Sequence, residues 1–213
     1  MLVIPLHYDG NDNTQTMLKT GHKAADAMDW NEAMQLVSRL YDDGSYRDCL
    51  LVASGCYLGL RICDLLQLRW RDLLEDEFVI TEKKTGKERR LRVNPELGKL
   101  AVRCRKVMGR PSENAFIFIA DGKEEPITRQ AVDLALKRMK VQYRIKSAKV
   151  FSAHTLRKTF GRRIWLNECD KGRGEQALVL LCDVFGHANV ATTKRYLGIR
   201  QEEILSVYDS LNN

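Results

Sequence analysis

Six side chains of types that bind or cleave phosphate esters stand out in this 213-residue chain by their setting, and they fall in four short stretches. Gly59-Leu60-Arg61-Ile62-Cys63-Asp64 sets an arginine directly after a helix break in the most apolar part of the chain. A guanidinium there must be paired. Asp64, three residues on and on the same helical face, is the expected partner, so the pair reads either as a structural salt bridge or as an oriented anion-binding arginine. His154-Thr155-Leu156-Arg157 brings an imidazole and a guanidinium to one side of a helix, two donors for an oxyanion or phosphate. In Phe185-Gly186-His187-Ala188-Asn189-Val190-Ala191-Thr192-Thr193-Lys194-Arg195-Tyr196, a histidine follows a helix-ending glycine, the threonine pair caps a short turn, and a tyrosine comes nine residues after the histidine. That tyrosine reads equally as an ordinary half-buried aromatic. Finally, Lys83-Lys84-Thr85-Gly86-Lys87-Glu88-Arg89-Arg90-Leu91-Arg92 holds six basic residues in ten: a solvated ribbon, or a surface lying against a phosphate backbone.

Two arginines, two histidines, a lysine and a tyrosine, with no carboxylate cluster for Mg²⁺, suit a phosphodiester reaction. Side chains rather than a metal would carry the developing charge, and the tyrosine would supply the nucleophile. A free phenol ionises near pH ~10, so it needs a base and a cationic surround to attack at neutral pH. A departing alkoxide needs a general acid, worth ~10²–10⁴ in rate.

The elements that must position these groups are mostly helical. Asp29 caps a first helix, with Glu32 closing a capping box and Ala33, Met34, Leu36, Val37 and Leu40 forming its apolar face; Gly44 ends it. A second apolar helix runs from Tyr46 to Leu58 and breaks at Gly59, and a short one follows from Arg61 to about Trp70. Phe78–Thr81 and Arg89–Val93 alternate as two strands of a hairpin whose turn is Lys84-Thr85-Gly86-Lys87. Helices are expected over Leu97–Met108, from the Thr128 cap to Val141, and from the Ser152 cap through Trp165. Phe116–Ile119 is ambiguous between strand and turn. Asn167–Gly174 reads as a charged loop, an insertion before His187, and helical pieces follow at Ala177–Phe185 and Glu202–Leu211. The class is α+β, mainly helical with a small antiparallel sheet.

Composition narrows the partners. Lys plus Arg number 35 against 28 Asp plus Glu, a net charge of +7 and a pI near 9.1. Residues 1–43 carry net −4 and residues 44–213 net +11, so an anion-binding surface belongs to the later part. No run approaches the ~18–20 apolar residues of a membrane span, and the N-terminal stretch has no signal-peptide pattern, so the chain reads as intracellular. The six cysteines show no zinc spacing. Cys49, Cys56 and Cys63 recur every seven residues and are expected as small buried hydrophobes on one face.

GLRICDLLQLRW, the KTGK turn, HTLR and FGHANVATTKRYLG resemble, in order and spacing, the catalytic domain of the tyrosine recombinase (phage integrase) family, over about Asp29 to Leu211. The resemblance implies the DNA breaking-rejoining fold and double-stranded DNA as substrate. It implies that Arg61 and Arg157 bind the scissile phosphate, that His187 donates to it, and that His154 assists proton transfer from the nucleophile. Tyr196 would form a 3′-phosphotyrosyl link, Lys84 would protonate the departing 5′-hydroxyl, and Asp64 would orient the site around Arg61. Lys83 and Lys87 stand near enough to share the acid's role. Lys83, Lys87, Arg89, Arg90, Arg162 and Lys194 are the expected DNA contacts. Neither metal nor other cofactor is implied.

Residues 1–28, polar and without periodicity, read as a lead-in or linker, and 29–213 as the catalytic domain. The chain is then either an excised catalytic domain or a short recombinase. A type IB topoisomerase shares the chemistry but fits FGHANVATTKRY less well, and a DNA-binding module without catalysis is the alternative of another class. The family also implies a tetramer on DNA and a monomer without it, acting in the cytoplasm and at the nucleoid of a bacterial host.

Overall fold

The computed structural model describes residues 26–120, 122–199 and 208. Two helices open the chain, α1 (Trp30–Asp42) and α2 (Tyr46–Leu58), followed by the short α3 (Ile62–Leu65) and α4 (Trp70–Leu74). An antiparallel hairpin, β1 (Glu77–Thr81) and β2 (Glu88–Arg92), leads to α5 (Pro95–Val107), α6 (Arg129–Gln142), α7 (Ala153–Cys169), α8 (Gly174–Phe185) and α9 (Val190–Leu197). This is the mainly helical α+β architecture expected.

Local rules account for most boundaries. Asp29 caps α1 by accepting from the Glu32 amide, Asn94 caps α5 with Pro95 at its first position, and Thr128 caps α6 through the Ala131 amide. The expected capping box at Glu32 does not form, because that carboxylate accepts from the backbone amides of Lys146 and Ser147 and ties α1 to a distant turn. Trp70 opens α4 instead of ending the preceding helix. It is fully buried, and its amide bonds to the Ala115 carbonyl. Phe116–Ile119 forms neither strand nor helix but two isolated bridges, Arg69 with Phe116 and Ile119 with Pro126. The supposed insertion at 167–174 is the end of α7 and a tight turn into α8, so the 30-position step from Arg157 to His187 is a helical hairpin. Cys49 and Cys56 are buried on α2, whereas Cys63 lies past the Gly59 break and is exposed. The expected helix 202–211 lies outside the described residues, Tyr208 excepted.

The core has two parts. The larger joins α1 and α2 to α3–α6 and extends to Leu156 on α7; Met28, before α1, belongs to it, and its backbone exchanges hydrogen bonds with the Thr159 hydroxyl of α7. The smaller joins Leu178, Leu181 and Phe185 of α8 to Leu197 and Ile199, with Phe160, Ile164 and Trp165 of α7 against it. Helix α7 therefore lies between the two parts. On the hairpin, Phe78 pairs with Leu91 and Ile80 with Arg89 on the inner face, while Val79 and Arg90 face outward.

Candidate active site

The first seat for an arginine is the end of α2. Gly59 has φ +58°, a conformation that favours glycine, and a β-carbon there would stand 2.3 Å from Phe160 Cδ1. With the turn made this tightly, the Gly59 carbonyl accepts from Arg157 Nη1 at 2.5 Å.

The second seat is the end of α8. Gly186, also left-handed at φ +62°, closes a Schellman motif in which the His187 amide bonds to the Cys182 carbonyl and the Gly186 amide to the Asp183 carbonyl. The carbonyls of Val184 and Phe185 are left over at the negative end of the helix dipole, where cations are favoured. Phe185 O accepts from Arg61 Nη2 at 2.9 Å and from Arg157 Nη2 at 3.2 Å, and Val184 O accepts from Arg89 Nη1 at 3.0 Å. One helix terminus thus gathers three arginines, from the N-cap of α3, from α7 and from the hairpin.

Arg61 is paired, but not with Asp64. Its Nη1 donates to Glu82 Oε2 at 2.8 Å, and Glu82 also faces Arg89 at 3.7 Å and accepts from the Thr85 hydroxyl. Burial alone would raise the Glu82 carboxyl; the Thr85 hydrogen bond and the two guanidiniums outweigh it and hold the pKa below the ordinary glutamate value. Asp64 is buried and accepts from the Lys83 amide at 2.9 Å through Oδ1, while Oδ2 has no partner. It ties down the entry to the hairpin turn rather than the Arg61 side chain. The exit of β1 supplies Arg61 with a closer carboxylate than local helical spacing indicates.

Arg157 has no carboxylate within ion-pair distance among the described residues. It is 5% exposed, its hydrogen bonds go to the Gly59 and Phe185 carbonyls, and its guanidinium lies 4.5 Å from the centre of the Phe185 ring. Burial and the nearby Arg61 and Arg89 push its pKa down to about 10. A buried guanidinium with carbonyl partners and no carboxylate is a seat prepared for an anion.

Tyr196 stands on α9, whose cap is Asn189: its Oδ1 accepts from the Thr192 amide and hydroxyl. The threonine pair was the expected cap. Thr193 is instead fully buried, and its hydroxyl sits 3.0 Å from His187 Nδ1. With that hydroxyl donating, Nδ1 is the acceptor and Nε2 carries the proton to be offered outward. The Tyr196 ring packs edge-on against His187 at 5.2 Å, Phe185 at 5.4 Å and, more loosely, His154 at 6.5 Å. Its hydroxyl is buried and makes no hydrogen bond of normal geometry. Burial raises the phenol's pKa, and the positive charges of Arg157 and Arg61 pull it back. Both histidines are driven below the ordinary imidazole value: His154 by burial and then by Arg129, Arg157 and Lys158, His187 by burial and then by Arg157 and Arg61.

Arg61, Lys84, His154, Arg157, His187 and Tyr196 all line one cavity of about 430 Å³. Asp64 is absent from that lining and Arg129, at the start of α6, is part of it. Of the expected DNA contacts, Lys83, Lys87 and Arg90 are exposed on the hairpin, while Arg89 is turned inward to Glu82 and Val184. Arg162 stacks over Trp165 and Lys194 pairs with Glu175 at 2.9 Å, so both are engaged within the protein. Glu82, Arg129 and the Phe185 carbonyl are parts that the sequence reading did not single out, and Thr193 it read only as a cap. Glu82 carried a signal, as the acid immediately before the basic run Lys83–Arg92. Among the described residues no group of three or more His, Cys, Asp or Glu is placed to hold a metal, and no helix is long and apolar enough to cross a membrane.

Comparison with known protein families matches residues 25–203 to the phage integrase family. Among curated proteins, the chain is 27% identical over 178 residues to the probable integrase/recombinase YoeC of Bacillus subtilis (strain 168), covering 83% of this chain and 91% of that protein. It is 30% identical over 195 residues to the tyrosine recombinase XerC of Xanthomonas campestris pv. campestris (strain B100), covering 90% of this chain but 57% of XerC. Among solved structures, the XerA recombinase superposes with a TM-score of 0.65 at 20% identity, over 88% of this chain and 65% of that one. The XerH recombinase bound to palindromic difH substrate in a post-cleavage complex gives 0.63 at 20%, over 90% and 56%. The chain therefore spans little more than half the length of several of these relatives.

Proposed function

The chain belongs to the phage integrase family and has the tyrosine recombinase catalytic-domain fold, and from that premise we propose that it cleaves and rejoins DNA strands at specific sites through a 3′-phosphotyrosyl intermediate. The observation that carries the proposal is the shared cavity, in which a buried phenol stands beside, and feels the charge of, a buried guanidinium that has no carboxylate ion-pair partner.

A scissile phosphodiester brings one negative charge to Arg61 and Arg157, each keeping its carbonyl anchor while its remaining N–H groups face the non-bridging oxygens. His187, its Nδ1 held by Thr193, donates from Nε2 to the same phosphate. Tyr196 Oη attacks phosphorus as His154, its pKa lowered by burial and then by the cations around it, takes the phenolic proton. The P–O5′ bond breaks and Lys84 gives a proton to the departing oxygen. The phosphotyrosyl ester retains the energy of the broken bond, so a second 5′-hydroxyl displaces Tyr196 without ATP or metal. Lys83, Lys87 and Arg90 are the backbone contacts on the hairpin, where each phosphate neutralised makes binding more salt-dependent. The working assembly is a tetramer on paired double-stranded sites, with the protein in the cytoplasm and at the nucleoid of a bacterial host.

The test is covalent trapping without divalent metal on a nicked duplex from the DNA flanking the chain's own coding sequence. A denaturation-resistant adduct that Tyr196→Phe abolishes is expected. Salt-sensitive binding with no adduct on any such substrate would make the chain a DNA-binding module.

A further inference from the structure

Next to Arg157, α7 buries a second cation. Lys158 is 7% exposed, and its ammonium lies 5.0 Å from the centre of the Tyr196 ring. Lysine is almost never fully buried without a paired charge, yet among the described residues no carboxylate reaches it as an ion pair. The counter-charge it feels is Asp26, in the strand of chain that crosses α7 just before Met28 bonds to Thr159. Burial pushes the ammonium below the ordinary lysine value and Asp26 offsets this only in part. An apolar side chain would fill this place at no electrostatic cost, so the charge needs another explanation. The electron-rich face of the tyrosine ring is what the ammonium meets.

The phenol needs such a contact. Its hydroxyl makes no hydrogen bond of normal geometry; Arg157 acts on that oxygen, at the tip of the ring, and leaves the ring faces unheld. The His187, Phe185 and His154 rings meet it edge-on at interplanar angles of 71–77° and bring no fixed positive charge. We infer that Lys158 is a positioning residue for the nucleophile: its ammonium, seated against the Tyr196 ring, fixes the orientation of the phenol and grips harder as the ring gains negative charge during attack. The attraction between a cation and an aromatic ring grows when the ring becomes part of a phenolate, so the contact is stronger in the transition state than in the ground state. The other charged or titratable groups around the pair are His154 and Arg157 on α7, His187 before α9, Arg61 before α3, Arg129 on α6 and Asp26.

This inference rests on the cleavage chemistry proposed above, and one single-turnover assay separates the two. Wild type, Lys158→Met and Lys158→Arg are given a nicked duplex in which sulfur replaces the bridging 5′-oxygen. Sulfur leaves without a general acid and so removes Lys84 from the pH profile. Lys158→Met has similar length without charge. It is expected to bind DNA with unchanged affinity and salt slope but to form adduct roughly tenfold more slowly. Lys158→Arg is expected to stay within about threefold of wild type, with its alkaline fall-off moved to higher pH, because a guanidinium keeps its charge where a buried ammonium loses it. Equal rates for wild type and Lys158→Met overturn the inference and leave the cleavage chemistry standing. No adduct from wild type overturns the cleavage chemistry and the inference with it. If Lys158→Met does not fold, a folded Lys158→Arg as inactive as Tyr196→Phe overturns the role of charge.

Discussion

Replacing Glu82 by glutamine removes the charge that holds Arg61 while keeping the shape of the side chain. The carboxylate is largely buried, as are its partners Arg61 at 2.8 Å and Arg89 at 3.7 Å, so solvent screens the cluster only modestly. The amide that takes its place keeps an oxygen for Arg61 and Thr85 but turns an NH₂ group toward Arg89. A hydrogen bond to a charged partner contributes ~1.5–3 kcal/mol net, so the expected loss of stability at pH 7 is about 2 kcal/mol. The pH dependence identifies the cause. The folded pKa of Glu82 lies below its ordinary value of 4.5, so the stabilisation is present above that value and is lost as pH falls through the folded one. Urea unfolding followed by circular dichroism, from pH 8 downward, is expected to show a constant gap between wild type and Glu82→Gln that closes below about pH 4.5, with equal m-values. Adduct formation is expected to fall as well, because Arg61 is then anchored mainly by the Phe185 carbonyl. A gap below ~0.5 kcal/mol at pH 7, or one that does not narrow on acidification, would refute Glu82 as the ionic anchor.

Two further outcomes follow from the same geometry. Gly59→Ala forces a β-carbon to 2.3 Å from Phe160 at φ +58°; strain and overpacking together are expected to cost about 2–5 kcal/mol, read as a lowered urea midpoint. Lys84→Ala is expected to cut adduct formation ~10²-fold or more on ordinary DNA and to recover on the 5′-sulfur substrate. Recovery by Lys83→Ala or Lys87→Ala instead would move the general acid to that position.

What was legible in the sequence was legible because it is local. The Asp29, Thr128 and Ser152 caps, the breaks at Gly59 and Gly186, and the hairpin turn each depend on a few consecutive residues competing for backbone hydrogen bonds. The Arg61–Asp64 pairing failed for the same reason. Helical spacing brings the two within reach, but it says nothing of Glu82, which arrives 21 positions later just past the end of β1 and takes the guanidinium. Glu32 failed likewise, satisfied by a turn at 146–147 instead of by its own helix end.

By itself, the sequence determined the kinds of side chain present, the helical class, and the four stretches that carry the candidate groups, since these follow from residue type and short-range order. Tertiary structure alone decided which groups meet. It placed the carbonyls at the end of α8 under three arginines, pointed Arg89 inward while Arg90 faces out, and set Lys158 against the tyrosine ring. Those choices belong to packing because a buried charge takes its partner from whatever element lies against it, and the partner's position along the chain does not enter the energy.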